Sequence, residues 1–255
     1  MNLICDLDGV LYRGEELIPG SDIAIKKAVD AGLRVWFVTN NSTKTPAQVR
    51  EKILRLTGYE SSEDMIVTSS QAAASIITAE SSPVYVLGSA AIEEALIRED
   101  LEITANHHEA RSVVVGMDRA LTYDRLAGAV AAVRRGARFV ATNDDPTFPV
   151  EDGFEPGSGA MVAAVMVASG RQPEIAGKPH PAMQRLLAAR GVREAWVIGD
   201  RLDTDIALAD GNPNWTSIVV LTGVTREDEE HRPADYAVPD LAAAINLVLD
   251  RLSRR

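Results

Sequence analysis

The sequence predicts an α/β fold in which a mostly parallel sheet is covered by helices. Apolar, strand-like runs alternate with helix-like runs almost throughout the 255 residues. This strand, helix, strand cadence requires crossover connections, which join parallel strands. The polar residues that could act in catalysis or binding directly follow strand-like runs. Ligands of such sheets bind at the carboxyl ends of the strands. These observations predict one crevice at that edge of the sheet.

Composition excludes several classes of partner. The chain carries 26 basic and 37 acidic residues, a net charge of −11, so nucleic acid and anionic membranes are poor electrostatic partners. One cysteine excludes an internal disulfide. No run approaches the roughly 18 apolar residues of a membrane span, and MNLICDLDG lacks the pattern of a signal peptide. We therefore expect a cytoplasmic protein.

Each predicted element follows from local sequence signals. Ser21 is predicted to cap the first helix and Gly32 to follow its end, and Pro46 has the favoured first position of the second helix. The last helix is predicted to start at Asp240. The predicted strands are NLIC (2–5), RVWFVT (34–39), IVTS (66–69), PVYVLG (83–88), SVVVGM (112–117), RFVAT (138–142), AWVIGD (195–200) and SIVVLT (217–222). The helices between them are predicted at 21–31, 45–56, 70–80, 90–100, 122–136, 160–170, 181–190 and from about Thr204.

Two short segments are candidate domain boundaries. SSP at 81–83 and GRQPE at 170–174 separate a middle region from the two ends of the chain. Within this region, NDDPTFPVEDGFEPGSG (143–159) is predicted to be a long loop. Long loops in compact domains are often functional. The part around Asp145, Phe148 and Glu151 is therefore the best candidate for selecting a substrate.

Two aspartates at the end of the first strand point to covalent chemistry. One carboxylate, Asp6, can attack a phosphorus or carbon centre, and a second, Asp8, can move protons at the same site. Gly9 allows the tight turn that brings Asp8 back. Carboxylates this close repel one another unless a cation neutralises them, and Mg²⁺ prefers such oxygen ligands.

The sequence GDRLDTD (199–205) offers further carboxylates after another strand. Asp200 and Asp205 are assigned to the same site because of this strand-end position. Acidic residues are also favoured in the first turn of a helix, and this reading is preferred for Asp203.

Donor groups complete the candidate site. Thr39, Asn40 and Asn41 precede a helix and can bind phosphate through side chains and backbone N–H groups, and the alternative is a turn with an N-cap, which is common. Lys178, in AGKPHP, is either a mobile surface lysine or a cation that holds the acids and the phosphate in place.

The motifs DLDGV, TNN, GKP and GDRLDTD, in this order, resemble the haloacid dehalogenase superfamily, most closely its NagD-like, p-nitrophenyl phosphatase branch. That branch has a large cap between the second and third motifs, and here 136 residues (42–177) separate Asn41 from Lys178. ATNDDPTFP…GFEPGSGAM also resembles this cap. The resemblance implies a Rossmann-like, doubly wound parallel core at 1–80 and 175–255, with an inserted α/β cap domain at 81–174.

The resemblance also implies roles for the motif residues and a cofactor, Mg²⁺. LYRG after Gly9 matches a flap beside the nucleophile, and the cap would exclude water until hydrolysis. The implied roles are nucleophile and metal ligand for Asp6, general acid/base and backbone metal ligand for Asp8, phosphoryl binding for Thr39 with Asn40 and Asn41 nearby, charge stabilisation for Lys178, metal ligation for Asp200 and support of the metal shell for Asp205.

We therefore predict a Mg²⁺-dependent phosphatase acting on a small phosphorylated metabolite. Relatives of this branch often dimerise through the cap, so a homodimer is one option. A C–Cl dehalogenase would not need Asp8, a phosphomutase would share the motifs but not this cap, and a transport ATPase would need membrane spans. Outside the superfamily, the alternatives are a phospho-accepting signalling receiver and a phosphate-binding protein without turnover. Receivers are about half this length and need no carboxylate two residues after the acceptor.

Overall fold

The computed structural model describes residues 1–150, 153–225 and 234–254, in which fourteen strands and eight α-helices occur. The strands are β1 (Asn2–Cys5), β2 (Tyr12–Arg13), β3 (Glu16–Leu17), β4 (Arg34–Thr39), β5 (Ile66–Thr68), β6 (Val84–Leu87), β7 (Ser112–Val115), β8 (Arg138–Ala141), β9 (Thr147–Val150), β10 (Gly153–Pro156), β11 (Glu174–Ile175), β12 (Ala195–Gly199), β13 (Trp215–Val220) and β14 (Tyr236–Val238). The helices are α1 (Ser21–Asp30), α2 (Pro46–Thr57), α3 (Ser69–Ala74), α4 (Ala90–Arg98), α5 (Tyr123–Arg134), α6 (Ser158–Ser169), α7 (Pro181–Ala189) and α8 (Leu241–Ser253).

The chain divides into two compact units. The first unit comprises Met1–Thr39, Pro46–Val67 and Leu187–Arg255, and the second comprises Asn40–Thr45 and Thr68–Leu186. The predicted domain limits, 80/81 and 174/175, differ from these bounds and stay a prediction.

The first unit carries a six-stranded sheet in the order β14-β13-β12-β1-β4-β5. Strand β1 is central and pairs in parallel with β12 on one side and β4 on the other, with Ile4 opposite Val197 and Trp36. The chain runs outward from β1 in both directions, so this strand is the topological switch point of a doubly wound sheet. The predicted Rossmann-like core is confirmed.

Helices bury apolar faces against this sheet. Helix α1 buries Ala24, Ile25 and Ala28, and α8 buries Ala244, Ile245 and Val248, the same one-sided helical spacing in both cases. They contact strand residues including Leu3, Phe37 and Ile198 in one core. Burying each large aliphatic side chain contributes about 1.5–3 kcal/mol, so this core is the main source of the unit's stability.

The second unit has a sheet and a core of its own. Its four strands follow the order β11-β8-β7-β6, and every pair is parallel. Strand residues such as Val113 and Val115 pack against Ala129 and Ala132 of α5 and Val165 of α6. The prediction of a second α/β domain is thereby confirmed.

Two predicted elements are wrong. The segment 143–159 is not one long loop, because β9 and β10 pair as an antiparallel hairpin in which Phe148 lies opposite Glu155. Glu151 lies outside the described residues. The helix predicted from Thr204 is instead a single wide π turn, Leu202–Ile206, followed by a 3₁₀ turn. The reason is local: the N–H groups of Asp205 and Ile206 both donate to the carbonyl of Arg201.

The predicted cap of α1 is also wrong. Ser21 is the first residue of the helix, and the residue before it, Gly20, has a φ of 82° and supplies no side chain. The Ser21 hydroxyl instead donates to the carbonyls of Leu11, at 2.8 Å, and Ile18, at 2.7 Å. The sequence reading also missed the β2–β3 hairpin and the edge strand β14. None of the helices in the described part of the chain has the length and apolarity that crossing a membrane requires.

Candidate active site

Three aspartates form a buried acidic cluster in the first unit. Asp6 follows β1 and Asp200 follows β12, two strands that are neighbours in the sheet. Asp205 comes from the π turn. One carboxylate oxygen of each lies within 4.8 Å of the others, and the three residues are between 2% and 8% exposed. The structure thus brings together three of the four acidic residues predicted to bind a metal.

The Asp200 carboxylate lies against backbone from two loops. A Cβ atom on Gly9 would stand 2.5 Å from its Oδ2, and one on Gly223 would stand 1.9 Å from the same atom. The Val224 N–H donates to Oδ2 at 2.7 Å. Only glycine at both positions leaves room for the carboxylate in this place.

Asp205 depends on a third glycine. A Cβ atom on Gly199, at the end of β12, would stand 2.0 Å from the Cβ of Asp205. The Asp205 Oδ2 accepts a hydrogen bond of 3.1 Å from the Arg201 N–H. The π turn therefore carries this side chain back over the end of the strand. Single π turns of this kind are frequent at functional sites.

Asp8 lies in a tight turn after the first strand. The Gly9 N–H donates to the Tyr12 carbonyl at 2.8 Å, and Gly9 has a φ of 84°, a left-handed conformation that favours glycine. The Gly9 carbonyl accepts a 2.6 Å bond from the Thr222 hydroxyl. The turn is thus tied to the loop after β13, and Asp8 itself is half-buried.

The pKa of Tyr12 is affected by the charges beside it. Burial raises the pKa of its hydroxyl well above the ordinary value, and the negative charges of Asp8 and Asp6 raise it further. The Lys52 ammonium lies 3.8 Å from the centre of the ring, a cation–π contact. Tyr12 is therefore a neutral phenol next to the acidic cluster.

Thr39 lies at the same edge of the sheet as Asp6. Both residues end or follow strands that pair in parallel, with Cys5 opposite Phe37. Thr39 is buried. Its hydroxyl is the kind of donor that a phosphate oxygen accepts from, as the sequence predicted for this residue.

The remaining predicted residues lie in the second unit. The Asn40 side chain bonds to the backbone of Lys178 and to the Asp145 carboxylate. The Asn41 Oδ1 accepts bonds from the N–H of Thr43, at 2.8 Å, and from its hydroxyl, at 2.7 Å. Lys178 is buried. The structure thus brings Asn40, Asp145 and Lys178 together, and Asn41 forms a local turn.

The acidic cluster suits a hard divalent cation. Three carboxylates in one buried place repel one another, and a cation that binds them removes this cost. All the donors are oxygen atoms, which Mg²⁺ and Ca²⁺ prefer to nitrogen or sulfur. The residues present therefore fit a metal of this class.

Sequence reasoning missed Thr222 and Gly223 in the loop after β13, and it missed Asn143 in the segment after β8, where it named only Asp145 as a binding residue. Thr222 and Gly223 contact the acidic cluster or its turn, and Asn143 binds the Asn40 carbonyl at 2.7 Å. Both segments follow parallel strands. The strand-end rule applied to these two strands would have found them.

A family model described as haloacid dehalogenase-like hydrolase matches residues 3–102, and a second model for HAD-like hydrolases matches residues 175–244. An acid sugar phosphatase of Staphylococcus epidermidis is 40% identical over 250 residues, 95% of each chain. The chain belongs to the haloacid dehalogenase-like hydrolase family. The predicted resemblance to this family is confirmed.

Solved structures agree with this membership. The p-nitrophenyl phosphatase from Archaeoglobus fulgidus is 32% identical, with a TM-score of 0.89 over 96% of this chain and 98% of that chain. The glycerol phosphate phosphatase Rv1692 from Mycobacterium tuberculosis, in complex with magnesium, is 34% identical, with a TM-score of 0.85 over 95% of this chain and 75% of that chain. The predicted enzyme class, a HAD-type hydrolase related to p-nitrophenyl phosphatases, is confirmed.

Proposed function

We propose that this HAD-family enzyme is a Mg²⁺-dependent phosphatase that hydrolyses small phosphomonoesters through an aspartyl-phosphate on Asp6. The observation that carries the proposal is the buried cluster of Asp6, Asp200 and Asp205 at the carboxyl ends of neighbouring strands, with Asp8 two residues after Asp6. A nucleophile, a proton donor and a cation site in one crevice are what this reaction needs.

The reaction has two steps. An Asp6 carboxylate oxygen attacks phosphorus, the bond from phosphorus to the leaving oxygen breaks, and Asp8 gives that oxygen a proton. A water molecule then attacks the phosphorus of the aspartyl-phosphate while Asp8 takes its proton. The bond from phosphorus to the Asp6 oxygen breaks, which releases phosphate and restores the Asp6 carboxylate and the protonated Asp8. Phosphoryl transfer depends mainly on positioning and charge stabilisation, which buried polar groups supply.

Asp6, Asp200 and Asp205 would hold the metal, with the Asp8 backbone carbonyl as a further ligand. When bound, Mg²⁺ neutralises the carboxylates and the negative charge of the phosphoryl group. The close approach of Gly9 and Gly223 fixes the Asp200 carboxylate for this role, because the carboxylate cannot move toward either backbone.

The donors have complementary roles. We assign the transferring phosphoryl oxygens to the Thr39 hydroxyl and to backbone N–H groups of Asn40 and Asn41. We assign Lys178 to the negative charge of the nucleophile and the phosphate. Its burial supports this assignment, because a buried ammonium requires negative partners.

We infer a small phosphorylated metabolite as the substrate. The related proteins carry the names acid sugar phosphatase, p-nitrophenyl phosphatase and glycerol phosphate phosphatase. The substrates in these names are small phosphomonoesters. We further propose that residues 81–174 act as a cap that limits the size of the leaving group. The separate parallel sheet of the second unit supports an independent domain there.

Hydrolysis of p-nitrophenyl phosphate tests the proposal. We expect turnover with Mg²⁺, none with excess EDTA, and a loss of at least about a thousandfold in Asp6→Asn, which removes the nucleophile. Asp203→Asn is the matched control, because Asp203 is in the same sequence motif but its side chain is 70% exposed. Equal rates for Asp6→Asn and the wild type would refute the covalent mechanism. Turnover unaffected by EDTA would refute the proposed requirement for a metal.

A further inference from the structure

We infer that Asn143–Asp145, the NDD segment after β8, is a positioning element that holds Asn40 and through it the backbone of Lys178. The inference rests on the proposed function, in which Lys178 stabilises the charge of the nucleophile and the phosphate. It assigns the side chains of Asn40 and Asp145 a role different from the direct substrate contact that the sequence predicted for these residues. All the residues concerned belong to the second unit.

The Asn40 amide binds both backbone groups of Lys178. Its Oδ1 accepts from the Lys178 N–H at 2.7 Å, and its Nδ2 donates to the Lys178 carbonyl at 3.1 Å. Two bonds from one rigid amide fix the backbone at this position. The residue before it must be glycine, because a Cβ atom on Gly177 would stand 2.6 Å from the Asn40 Oδ1.

Asp145 determines which way this amide faces. The Asn40 Nδ2 also donates to the Asp145 carboxylate, at 3.1 Å to Oδ2 and 3.3 Å to Oδ1. A flipped amide would turn its oxygen toward the carboxylate and its NH₂ group toward the Lys178 N–H, which is repulsive in both places. The negative charge of Asp145 therefore keeps the amide oxygen on Lys178.

The other two residues of the segment reinforce the arrangement. The Asn143 Nδ2 donates to the Asn40 carbonyl at 2.7 Å, and the Asn143 side chain is buried. The Asp144 Oδ1 lies 3.5 Å from the His180 Nε2. Three consecutive residues at the end of one strand thus contact the two segments around Asn40 and Lys178, which lie 138 positions apart. Errors of about 1 Å in such positioning can cost about a hundredfold in rate.

Exchanging the charges of the pair tests the inference. In Asn40→Asp, the new carboxylate faces Asp145 and the Lys178 carbonyl, so we expect kcat for p-nitrophenyl phosphate to fall at least tenfold with KM changed less than threefold. Asp145→Asn still offers an acceptor to Asn40, so its loss should be smaller. In the double variant, the new amide at 145 donates to the new carboxylate at 40. We expect kcat to recover at least threefold over Asn40→Asp alone.

Asn214→Asp is the matched control, because Asn214 is exposed and precedes β13 at the opposite end of the strands. It introduces the same change of charge and should keep wild-type kcat. Failure of the double variant to recover any activity, with its thermal unfolding temperature equal to that of the wild type, would overturn the proposed orientation of the amide.

Amide hydrogen exchange of the metal-free protein separates this inference from the proposed function. A peptide that covers 175–183 should exchange faster in Asn40→Asp than in the wild type, and the double variant should restore part of the protection. Unchanged exchange would overturn the positioning role whatever the activity. Faster exchange with unchanged kcat would overturn its link to catalysis. A wild-type protein that hydrolyses no phosphomonoester would refute the proposed function. The exchange data would still show whether Asn40 holds the backbone of Lys178.

Discussion

The backbone of Gly223 lies against the Asp200 carboxylate so closely that a Cβ atom on Gly223 would stand 1.9 Å from Oδ2. The next residue, Val224, donates its N–H to the same oxygen at 2.7 Å. The loop after β13 therefore acts as one wall of the acidic cluster. Asp200 is buried and has little room to move away from an added methyl group.

Gly223→Ala is therefore expected to displace Asp200. We predict a fall in kcat/KM of about tenfold or more, equivalent to ~1.4 kcal/mol or more of transition-state stabilisation. Steady-state hydrolysis of p-nitrophenyl phosphate measures it. Val224→Ala is the control, because its exposed side chain is removed while the backbone donor stays. Equal kcat/KM for Gly223→Ala and the wild type would show that the loop after β13 accommodates the added methyl group without displacing Asp200.

Metal binding should stabilise the fold through the acidic cluster. A cation at about a hundred times its Kd adds ~2.7 kcal/mol to the free energy of unfolding, so Mg²⁺ should raise the wild-type Tm. Asp200→Asn should lose this response. In EDTA its Tm should equal or exceed that of the wild type, because one of three repelling charges is gone.

Thermal unfolding with EDTA and with Mg²⁺ measures this response. Asp203→Asn, with an exposed side chain, should keep it in full. A Mg²⁺-dependent rise of Tm in Asp200→Asn as large as in the wild type would exclude the cluster as the metal site.

Tyr12 should make the protein sensitive to alkali. Its folded-state pKa is raised by burial and by Asp8 and Asp6, and the ordinary value in the unfolded chain is about 10. The stability from this group is therefore complete below about pH 10 and is lost as pH rises toward the folded pKa, by ~1.4 kcal/mol per pH unit.

Tyr12→Phe should therefore lose less stability than the wild type between pH 10 and 11. Urea unfolding at a series of pH values measures the difference. Tyr123→Phe is the control, since Tyr123 is 83% exposed. Identical pH slopes for Tyr12→Phe and the wild type would contradict the prediction.

In the second unit, an ion pair joins the buried carboxylate of Asp118 to Arg125, whose side chain is 32% exposed. Asp118 also accepts a 2.8 Å bond from the Ala120 N–H. Arg125→Met leaves an uncompensated buried carboxylate, so we predict a loss of about 3 kcal/mol in the free energy of unfolding. The double variant with Asp118→Asn should regain part of it.

Urea denaturation measures these changes. Arg98→Met is the control, because Arg98 pairs with Glu94 on an exposed helix face and its loss should cost less than about 0.5 kcal/mol. A loss for Arg125→Met no larger than for Arg98→Met would show that the pair of Asp118 and Arg125 contributes little to stability.

The fold class and the acidic residues at the strand ends were predictable from sequence. Apolar runs such as RVWFVT are buried strands because their side chains are apolar on both faces, and polar residues at their ends lie together because parallel strands share one edge. Asp6 and Asp200 were found in this way. The wrong predictions, the loop 143–159 and the helix from Thr204, concern places where short-range backbone hydrogen bonds decide the conformation, in the β9–β10 hairpin and at the Arg201 carbonyl, and apolar periodicity does not show these bonds.

The sequence by itself determined most of the order of strands and helices, the family, and which residue types stand at the strand ends. Tertiary structure alone decided which of them contact one another. The approach of Gly223 to Asp200 and the two bonds between Asn40 and Lys178 join residues that are far apart in sequence. Such contacts depend on ångström-scale distances between loops of the same unit, and these distances are set by the packing within each core and not by any local periodicity.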